Sequence, residues 1–584
     1  MSFLSMAGRF LLFFLSFGGY ILWLKERFCL KPEFAPVVIC SGIGSIIFLA
    51  GILNILPLTV ILLFLFGLFQ LRRLVKIKKY LSDRRFIILS VIFGICCVYF
   101  AFYMRGIMFT HYDNFSHWAV AAKEILRTDN FPNFESGLIN FQAYPLGSAG
   151  FIYYVCKIIG DTEGCMAFAQ CLILISCVFV FFAFLNKKNI YLLFLLFISG
   201  LYFFTANIFI TDLLVDTMIP LLGLASVAIA YYYRYCMNKA VLFTAPVFIF
   251  LVCVKNSSIY FWIVGLLFIF YISFKHRNIK QILKPFLLIS VLLPSGIIYL
   301  WNRHVNYVFS NAMSSKHAMS LGSYLGIFRE KTKDDIFLII KNFMARTFSF
   351  DNEVIQILIL SLVILAIGYL LTRKKGKKFF SCVEPQIFLL CIGVYFAYMI
   401  SLFCMYLFSM RMSEAGPIGS YERYSQTIAL FIYGILLLYM LSYFPLLKSK
   451  NIIKTISYVL ICVIFTGFLW NHRKNVKDLF VRPDFSDTPR YYAEYLKKEY
   501  GIHEGKKYFI YMSLDQNTKG YYEYMFKYMM SSICVTAWSA EDLYNKEIDI
   551  YDYDYLIFCT RDDTLETFLR KNGLSLTDDV IVIP

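Results

Sequence analysis

Long apolar runs constrain the fold of this chain more than any other feature. Because hydrophobic residues make up 59% of its 584 positions and charged residues only 16%, the sequence predicts a polytopic α-helical membrane protein of 13 or 14 transmembrane helices. The runs long enough, or nearly so, to cross a hydrocarbon core of roughly 30 Å lie at 10–24, 35–53, 55–71, 86–104, 164–185, 190–208, 213–232, 240–254, 257–274, 284–301, 353–372, 386–408, 427–445 and 452–470.

The distribution of basic residues predicts the orientation of these spans. A net charge of +18 can indicate nucleic-acid binding, but here Lys and Arg concentrate in short loops that fall on one side if the spans alternate. We therefore expect membrane lipids, and no nucleic acid, as partners of these residues. The basic loops, predicted to be cytoplasmic, are 72–85, 186–189, 274–284, 372–378 and 448–454.

The opposite side of the membrane receives most of the remaining polar sequence. It includes an external loop at 105–147, a second at 302–352, and the whole tail from 471 to 584. The tail holds 15 Lys and Arg against 19 Asp and Glu, and it alternates β-rich runs with helical stretches. We predict a membrane domain over 1–470 and a small soluble α/β domain over 471–584, outside the cytoplasm at the plasma membrane.

The first external loop combines a carboxylate with an amphipathic helix. Phe115, Trp118 and Ile125 recur at helical spacing, whereas Lys123 and Glu124 fall elsewhere, so a helix here is predicted to lie along the membrane. Asp113 directly precedes it. Two interpretations stay open: Asp113 or Asn114 caps the first helical turn, or Asp113 is a catalytic base at the membrane surface.

Other ionisable residues lie at predicted external boundaries of spans, where an unpaired charge is costly. Asp212 and Asp216 are four residues apart on one helical face and either pair with a cation or bind substrate. Lys255 either snorkels to the interface or binds an anion. Arg411 and Arg423 precede a late span and either grip a phosphate or contact lipid headgroups.

Several short motifs resemble those of a known family, both in their order along the chain and in their position on one predicted side of the membrane. The loop from Asp113 to the run Asp129-Asn130-Phe131-Pro132 resembles the first external loop of the GT-C superfamily of membrane glycosyltransferases, especially its aminoarabinose-transferase and protein O-mannosyltransferase branches. Asn114 stands where that loop carries a second acid. The other matching motifs are Asp216-Thr-Met-Ile-Pro, Val254-Lys255-Asn256-Ser257 and Tyr421-Glu-Arg423-Tyr424.

This resemblance implies a GT-C-like fold and an inverting glycosyltransferase. Such an enzyme would move a sugar from a polyprenyl-phosphate donor to a glycan, lipid or protein acceptor on the outer face of the membrane. Asp113 would be the base, and the carboxylates would orient hydroxyl groups or hold a divalent cation, Mg or Mn. The further site residues that the resemblance implies are Asp216, Asp212, Lys255, Arg423, Arg411 and Tyr144.

Two alternative functions stay open at this point. A flippase or other transporter of lipid-linked oligosaccharides would also use many spans and a cationic cavity, although its ionisable residues are expected near the bilayer midplane rather than at one edge. A polysaccharide polymerase or ligase would also act on lipid-linked sugars outside the cell, but it should tolerate the loss of Asp113.

Overall fold

The computed structural model describes residues 3–76, 82–134, 136–185, 189–276, 283–309, 321–372, 382–447, 451–512 and 520–583. Up to residue 470 these residues form mainly helices. In chain order the helices are α1 (Phe3–Phe28), α2 (Ala35–Ile52), α3 (Leu56–Gln70), α4 (Arg84–Tyr103), α5 (Ala119–Thr128), α6 (Gly147–Ile159), α7 (Glu163–Phe179), α8 (Ile190–Thr205), α9 (Met218–Tyr232), α10 (Met237–Val254), α11 (Ile259–Lys275), α12 (Leu293–Val308), α13 (Leu321–Arg329), α14 (Lys333–Thr347), α15 (Glu353–Thr372), α16 (Val383–Phe408), α17 (Met412–Ala415), α18 (Tyr421–Ser442) and α19 (Asn451–Trp470).

Twelve helices in the described part of the chain are long and apolar enough to cross a membrane. The chain is therefore a multi-pass membrane protein, as predicted. Two of the predicted spans, 190–208 and 213–232, form only the shorter helices α8 and α9, of 16 and 15 residues. Each of the 14 predicted runs thus coincides with a helix, and twelve of these helices are long enough to span a membrane by length and composition. Since α9 begins at Met218, Asp212 and Asp216 lie in the segment that connects these two helices.

Segments that the alternation of spans places on the same side of the membrane contact one another in the structure. At one end the basic segments pair with nearby acids, for example Arg73 with Glu26 at 2.6 Å. At the other end, segments predicted to be external contact one another, as where Trp301 Nε1 donates to the Ala143 carbonyl at 3.1 Å. The parts of the predicted loops that lie outside the described residues are 77–81, 135, 186–188, 277–282, 310–320, 373–378 and 448–450.

Between α4 and α7 the chain forms two helices, α5 and α6, whereas the sequence predicted only one. After α5, the chain forms α6, whose Tyr153 hydroxyl donates to Asp129 Oδ1 at 2.8 Å. At its first residue, Gly147, an added Cβ would collide with the backbone of Cys253 at the end of α10. Glycine is therefore needed where α6 meets the membrane bundle. The sequence did not separate α6 from the apolar runs around it.

The tail forms a small α/β domain with a partly parallel sheet, as predicted. Its strands follow the order β2-β1-β3-β4, in which β1 is parallel to β2 and β3, and β4 is antiparallel to β3. The elements are α20 (Arg473–Asp478), α21 (Pro489–Glu499), β1 (Tyr508–Tyr511), α22 (Tyr521–Met530), β2 (Val535–Trp538), α23 (Ala540–Asn545), β3 (Tyr555–Phe558), α24 (Asp563–Lys571) and β4 (Val580–Val582).

This C-terminal domain packs against the first external loop. The Glu163 carboxylate accepts hydrogen bonds from Arg490 Nη2 at 2.9 Å, from the Tyr528 hydroxyl at 3.0 Å and from the Phe109 amide at 2.6 Å. Lys123 donates to the Tyr528 carbonyl at 2.8 Å, and burial lowers the pKa of Lys123 to about 8. Lys123 of α5 thus packs against the C-terminal domain, whereas Arg127 of the same helix is exposed and pairs with Glu124.

Two native cysteines provide a test of orientation. Cys534 in the C-terminal domain and Cys236 between α9 and α10 are both exposed free thiols. If the basic loops are cytoplasmic, a membrane-impermeant maleimide should label Cys534 in intact cells and Cys236 only after permeabilisation. Cys534→Ser and Cys236→Ser variants identify each labelled position by mass spectrometry. Labelling of Cys236 in intact cells would reverse the orientation.

Candidate functional site

Four ionisable side chains from distant parts of the chain meet at one end of the membrane bundle. Lys255 Nζ donates to Asp216 Oδ1 at 2.8 Å. Arg423 Nη1 donates to Asp113 Oδ2, and Arg423 Nε lies 3.7 Å from Asp216 Oδ2. These four residues are called the charge cluster below. The sequence motifs placed each of them on one predicted side, and the structure brings them into direct contact.

Asp113 reaches the charge cluster from the start of a π-helical turn, Asn114–Trp118. Its side chain makes no capping hydrogen bond to that turn, so the capping interpretation is wrong. The next residue, Asn114, is fully buried; its amide donates to Asp212 Oδ1 at 3.0 Å and accepts from the Leu213 amide at 3.1 Å. Asn114 therefore fastens the first external loop to the segment that carries both acids.

Lys255 enters the charge cluster because α10 ends immediately before it. The Lys255 backbone is extended, and its carbonyl accepts from the Ser258 hydroxyl at 2.5 Å. Its side chain is only 9% exposed and is paired with Asp216, so it is not a lysine that snorkels to the membrane surface. Arg423 lies in the first turn of α18, where the Asn207 amide donates to its carbonyl at 3.2 Å.

The buried Asp216 carboxylate is balanced by two cations. Burial alone would raise the pKa of Asp216, but the adjacent Lys255 and Arg423 outweigh burial and hold that pKa below its usual range. For Asp212 burial dominates and raises the pKa, against the opposing effects of His111 and Asn114. Asp216 therefore remains ionised, and with Asp113 it matches the two positive charges.

Two buried polar atoms of the charge cluster have no hydrogen-bond partner, namely Asp216 Oδ2 and Arg423 Nε. They lie 3.7 Å apart, close enough for electrostatic attraction but too far for a hydrogen bond. A buried donor without a partner costs about 1–3 kcal/mol. An oxygen of a bound anion could accept from Arg423 Nε and remove that cost.

Aromatic rings surround the lysine of the charge cluster. Lys255 Nζ lies 5.9 Å from the ring centres of both Trp118 and Tyr144, and 5.6 Å from that of Tyr424. These separations are within the range of cation–π attraction. Burial raises the pKa of Tyr144, which keeps its phenol protonated. Tyr144 thus lies beside the charge cluster.

The other predicted site residues lie farther out. Asp212 accepts a hydrogen bond from Asn114, the residue after Asp113, and is close enough to Asp113 for electrostatic repulsion. Arg411 is exposed at the start of α17, and no ion pair among the described residues joins it to the charge cluster. Sequence reasoning gave no site role to Trp118 or Tyr424, although each lies within one of the motifs that resemble the family.

The charge cluster is a poor match for a divalent cation. Within the described ranges, no three His, Cys, Asp or Glu side chains are grouped as metal ligands. The buried carboxylate of Asp216 is already neutralised by Lys255 and Arg423. Divalent cations bind where several oxygen ligands leave a net negative charge, and the charge cluster does not offer such a set.

A cavity of about 640 Å³ opens from the charge cluster. It runs between α11 and α16 and is closed on a third side by α13. Its polar end holds Asp216 and Lys255, and most of its remaining surface is apolar. The residues that line the apolar part include Ile259, Phe261, Ile263, Leu325, Leu402, Met405 and Phe408. This shape and polarity suit an amphiphile with an anionic head.

Comparisons with known proteins place the chain in no family. No protein-family model matches it, and no curated protein matches it. The fold and the site define a multi-pass membrane protein with a buried, charge-paired site at the head of an apolar cavity.

Removing the cation beside Asp216 should destabilise the protein. Lys255→Met leaves the buried carboxylate with only Arg423 at 3.7 Å, and breaking a buried pair costs about 3–5 kcal/mol. We expect a clear fall in Tm of the detergent-purified protein, measured by intrinsic fluorescence. The double variant Asp216→Asn/Lys255→Met should recover most of the loss, and Lys498→Met, at an exposed lysine, should change nothing. Equal Tm values for Lys255→Met and the native protein would contradict the pairing.

Proposed function

We propose that this protein is an integral membrane glycosyltransferase of the GT-C type, which transfers a sugar from a polyprenyl-phosphate donor to an acceptor on the outer face of the plasma membrane. One observation carries the proposal: two cations and two carboxylates meet where an apolar cavity reaches the bundle end. The acceptor is a glycan, a lipid or a protein.

The donor would bind with its two chemically different parts in two environments. Its prenyl chain would occupy the cavity between α11 and α16, where burial of apolar surface contributes about 25 cal/mol per Å². Its phosphate would lie at Lys255 and Arg423. A sugar phosphodiester carries one negative charge and leaves as a phosphomonoester with more, so fixed cations stabilise the transition state more than the bound donor.

The transfer itself would need one base. Asp113 would take the proton of the acceptor hydroxyl as its oxygen forms a bond to the anomeric carbon of the sugar. The bond from that carbon to the phosphate oxygen breaks, and its electron pair leaves with the polyprenyl phosphate. Attack opposite the leaving group inverts the anomeric configuration.

Asp113 is suited to this task by its position and exposure. Its side chain is 26% exposed, whereas that of Asp216 is only 5% exposed, so an acceptor can reach Asp113 more readily. In the structure Arg423 is bound to Asp113. A donor phosphate would attract the guanidinium away and leave the carboxylate able to accept a proton. Asp216 would remain between Lys255 and Arg423 as a positioning residue.

Replacement of the base tests the proposal directly. In membranes with matched expression, Asp113→Asn should lower transfer of radiolabelled sugar from polyprenyl-phosphate donors to endogenous acceptors by at least roughly a hundredfold, since the amide cannot take the proton. Asp351→Asn, which alters an exposed carboxylate before α15, serves as the matched control and should transfer as the native protein does.

Other outcomes would contradict the proposed reaction. Transfer that is absent with every donor, or that is unchanged in Asp113→Asn, would favour a flippase or a polymerase instead. Parallel Tm measurements separate a loss of chemistry from a loss of folding.

The apolar cavity can be blocked without altering the charge cluster. Ser401 on α16 lines the cavity, whereas its neighbour Ile400 does not and is 63% exposed. Ser401→Trp should fill part of the prenyl site and raise the KM for the donor at least tenfold, with little change in Tm. Ile400→Trp adds the same ring outside the cavity and should leave KM unchanged. Equal KM values in the two variants would remove the prenyl chain from this cavity.

A further inference from the structure

A second cavity lies at the same end of the bundle and has a different chemistry. Its volume is about 650 Å³, within the usual range for small-molecule sites. Three parts of the chain form it: the turn between α2 and α3, the stretch that follows α5, and the end of α12. The lining residues are Asn54, Asn130, Phe131, Pro132, Asn133, Phe134, His304, Tyr307 and Val308.

This second cavity combines amide groups with aromatic rings and carries no carboxylate, lysine or arginine among its described lining residues. Asparagine amides both donate and accept hydrogen bonds, which matches the hydroxyl groups of sugars. Aromatic faces offer apolar surface with a negative electrostatic face to the C–H groups of a sugar ring. A charged ligand would lose part of its hydration shell in this cavity, and the described lining residues offer no opposite charge to offset that cost.

The floor of the second cavity is rigid. Phe131 is buried and packs edge-on against Trp301 at 6.3 Å between ring centres, and Trp301 stacks on His304 at 5.4 Å. A Cβ at Gly51 would collide with the Phe131 ring, so this glycine leaves the space that the ring occupies. A preformed floor reduces the entropy that a ligand must give up on binding.

The second cavity is physically connected to the charge cluster. Trp301 Nε1 donates to the Ala143 carbonyl at 3.1 Å, and the next residue, Tyr144, lies beside Lys255. Asn256, which follows Lys255, directs its amide to the same carbonyl at 3.5 Å. The short segment at 143–144 is therefore shared between the floor of the second cavity and the wall of the charge cluster.

We propose that the second cavity binds an uncharged oligosaccharide. The observations that carry this proposal are the three asparagine amides, the exposed rings of Phe134 and Tyr307 at the rim, and the lack of charge among the lining residues. If the protein transfers sugars as proposed, the second cavity would bind a part of the acceptor glycan far from the reacting hydroxyl, and this role rests on the proposed function. Binding of the oligosaccharide itself does not depend on that reaction.

Binding to the purified full-length protein in detergent tests the proposal. The probes are uncharged oligosaccharides of two to six hexose, N-acetylhexosamine or pentose units, with hexuronic acid and sulfated oligosaccharides for comparison. We expect at least one uncharged probe to bind with a Kd in the millimolar range or tighter, and its acidic counterpart to bind more weakly.

Variants of the rim locate that binding. Tyr307 is 85% exposed, so Tyr307→Ala should remove a stacking surface without disturbing the core and weaken binding about tenfold. Tyr307→Phe keeps the ring and should retain most of the affinity. Tyr299→Ala changes a 64% exposed tyrosine of the same helix outside the second cavity and should bind as the native protein does.

Several results would overturn the proposal: no uncharged probe binds, acidic probes bind more tightly, or Tyr307→Ala retains native affinity. Phe134→Ala provides a second rim variant if Tyr307→Ala lowers Tm. Asp113→Asn should bind the oligosaccharide normally even though we expect it to lose sugar transfer. Loss of binding and loss of transfer are thus measured separately.

Discussion

The buried carboxylate of Asp216 is the point on which the functional end of this protein depends. It lies between Lys255, at the break that follows α10, and Arg423, in the first turn of α18. A lone ion in such an environment would cost several kcal/mol, and the two cations offset that cost while Arg423 also reaches Asp113. One charge thus holds three membrane elements and the first external loop in register.

The charge cluster and the apolar cavity are adjacent parts of one site. Fixed cations at the end of a closed helix bundle would serve little purpose without access from the lipid, and an apolar cleft would lack selectivity without a polar end. Here the cavity lining passes from Lys255 and Tyr144 to apolar residues of α11 and α16. The rings of Trp118, Tyr144 and Tyr424 surround Lys255 at the polar end.

Much of this arrangement could be predicted from the sequence because its causes are local. The length of the apolar runs and the basic loops between them predicted a helical membrane protein. The alternation of β-rich and helical stretches predicted an α/β tail. Charged residues at span boundaries identified Asp113, Asp216, Lys255 and Arg423. The helix α6 escaped prediction because a 13-residue apolar helix has no distinct periodic signal. Proximity in sequence to Arg423 does not determine whether the exposed side chain of Arg411 contacts the charge cluster. The contacts of Asn114 depend on a partner 98 residues away.

The contact of Lys123 with the Tyr528 carbonyl joins residues 405 positions apart in the chain. Together with the bonds from Arg490 and Tyr528 to Glu163, it holds the C-terminal domain against the loop that carries Asp113. Because a chain is synthesised from its N-terminus, this loop is made long before the domain that supports it. Assembly of the charge cluster is therefore completed only after all of the described membrane helices have been made, and a chain that stopped after α19 would lack this support.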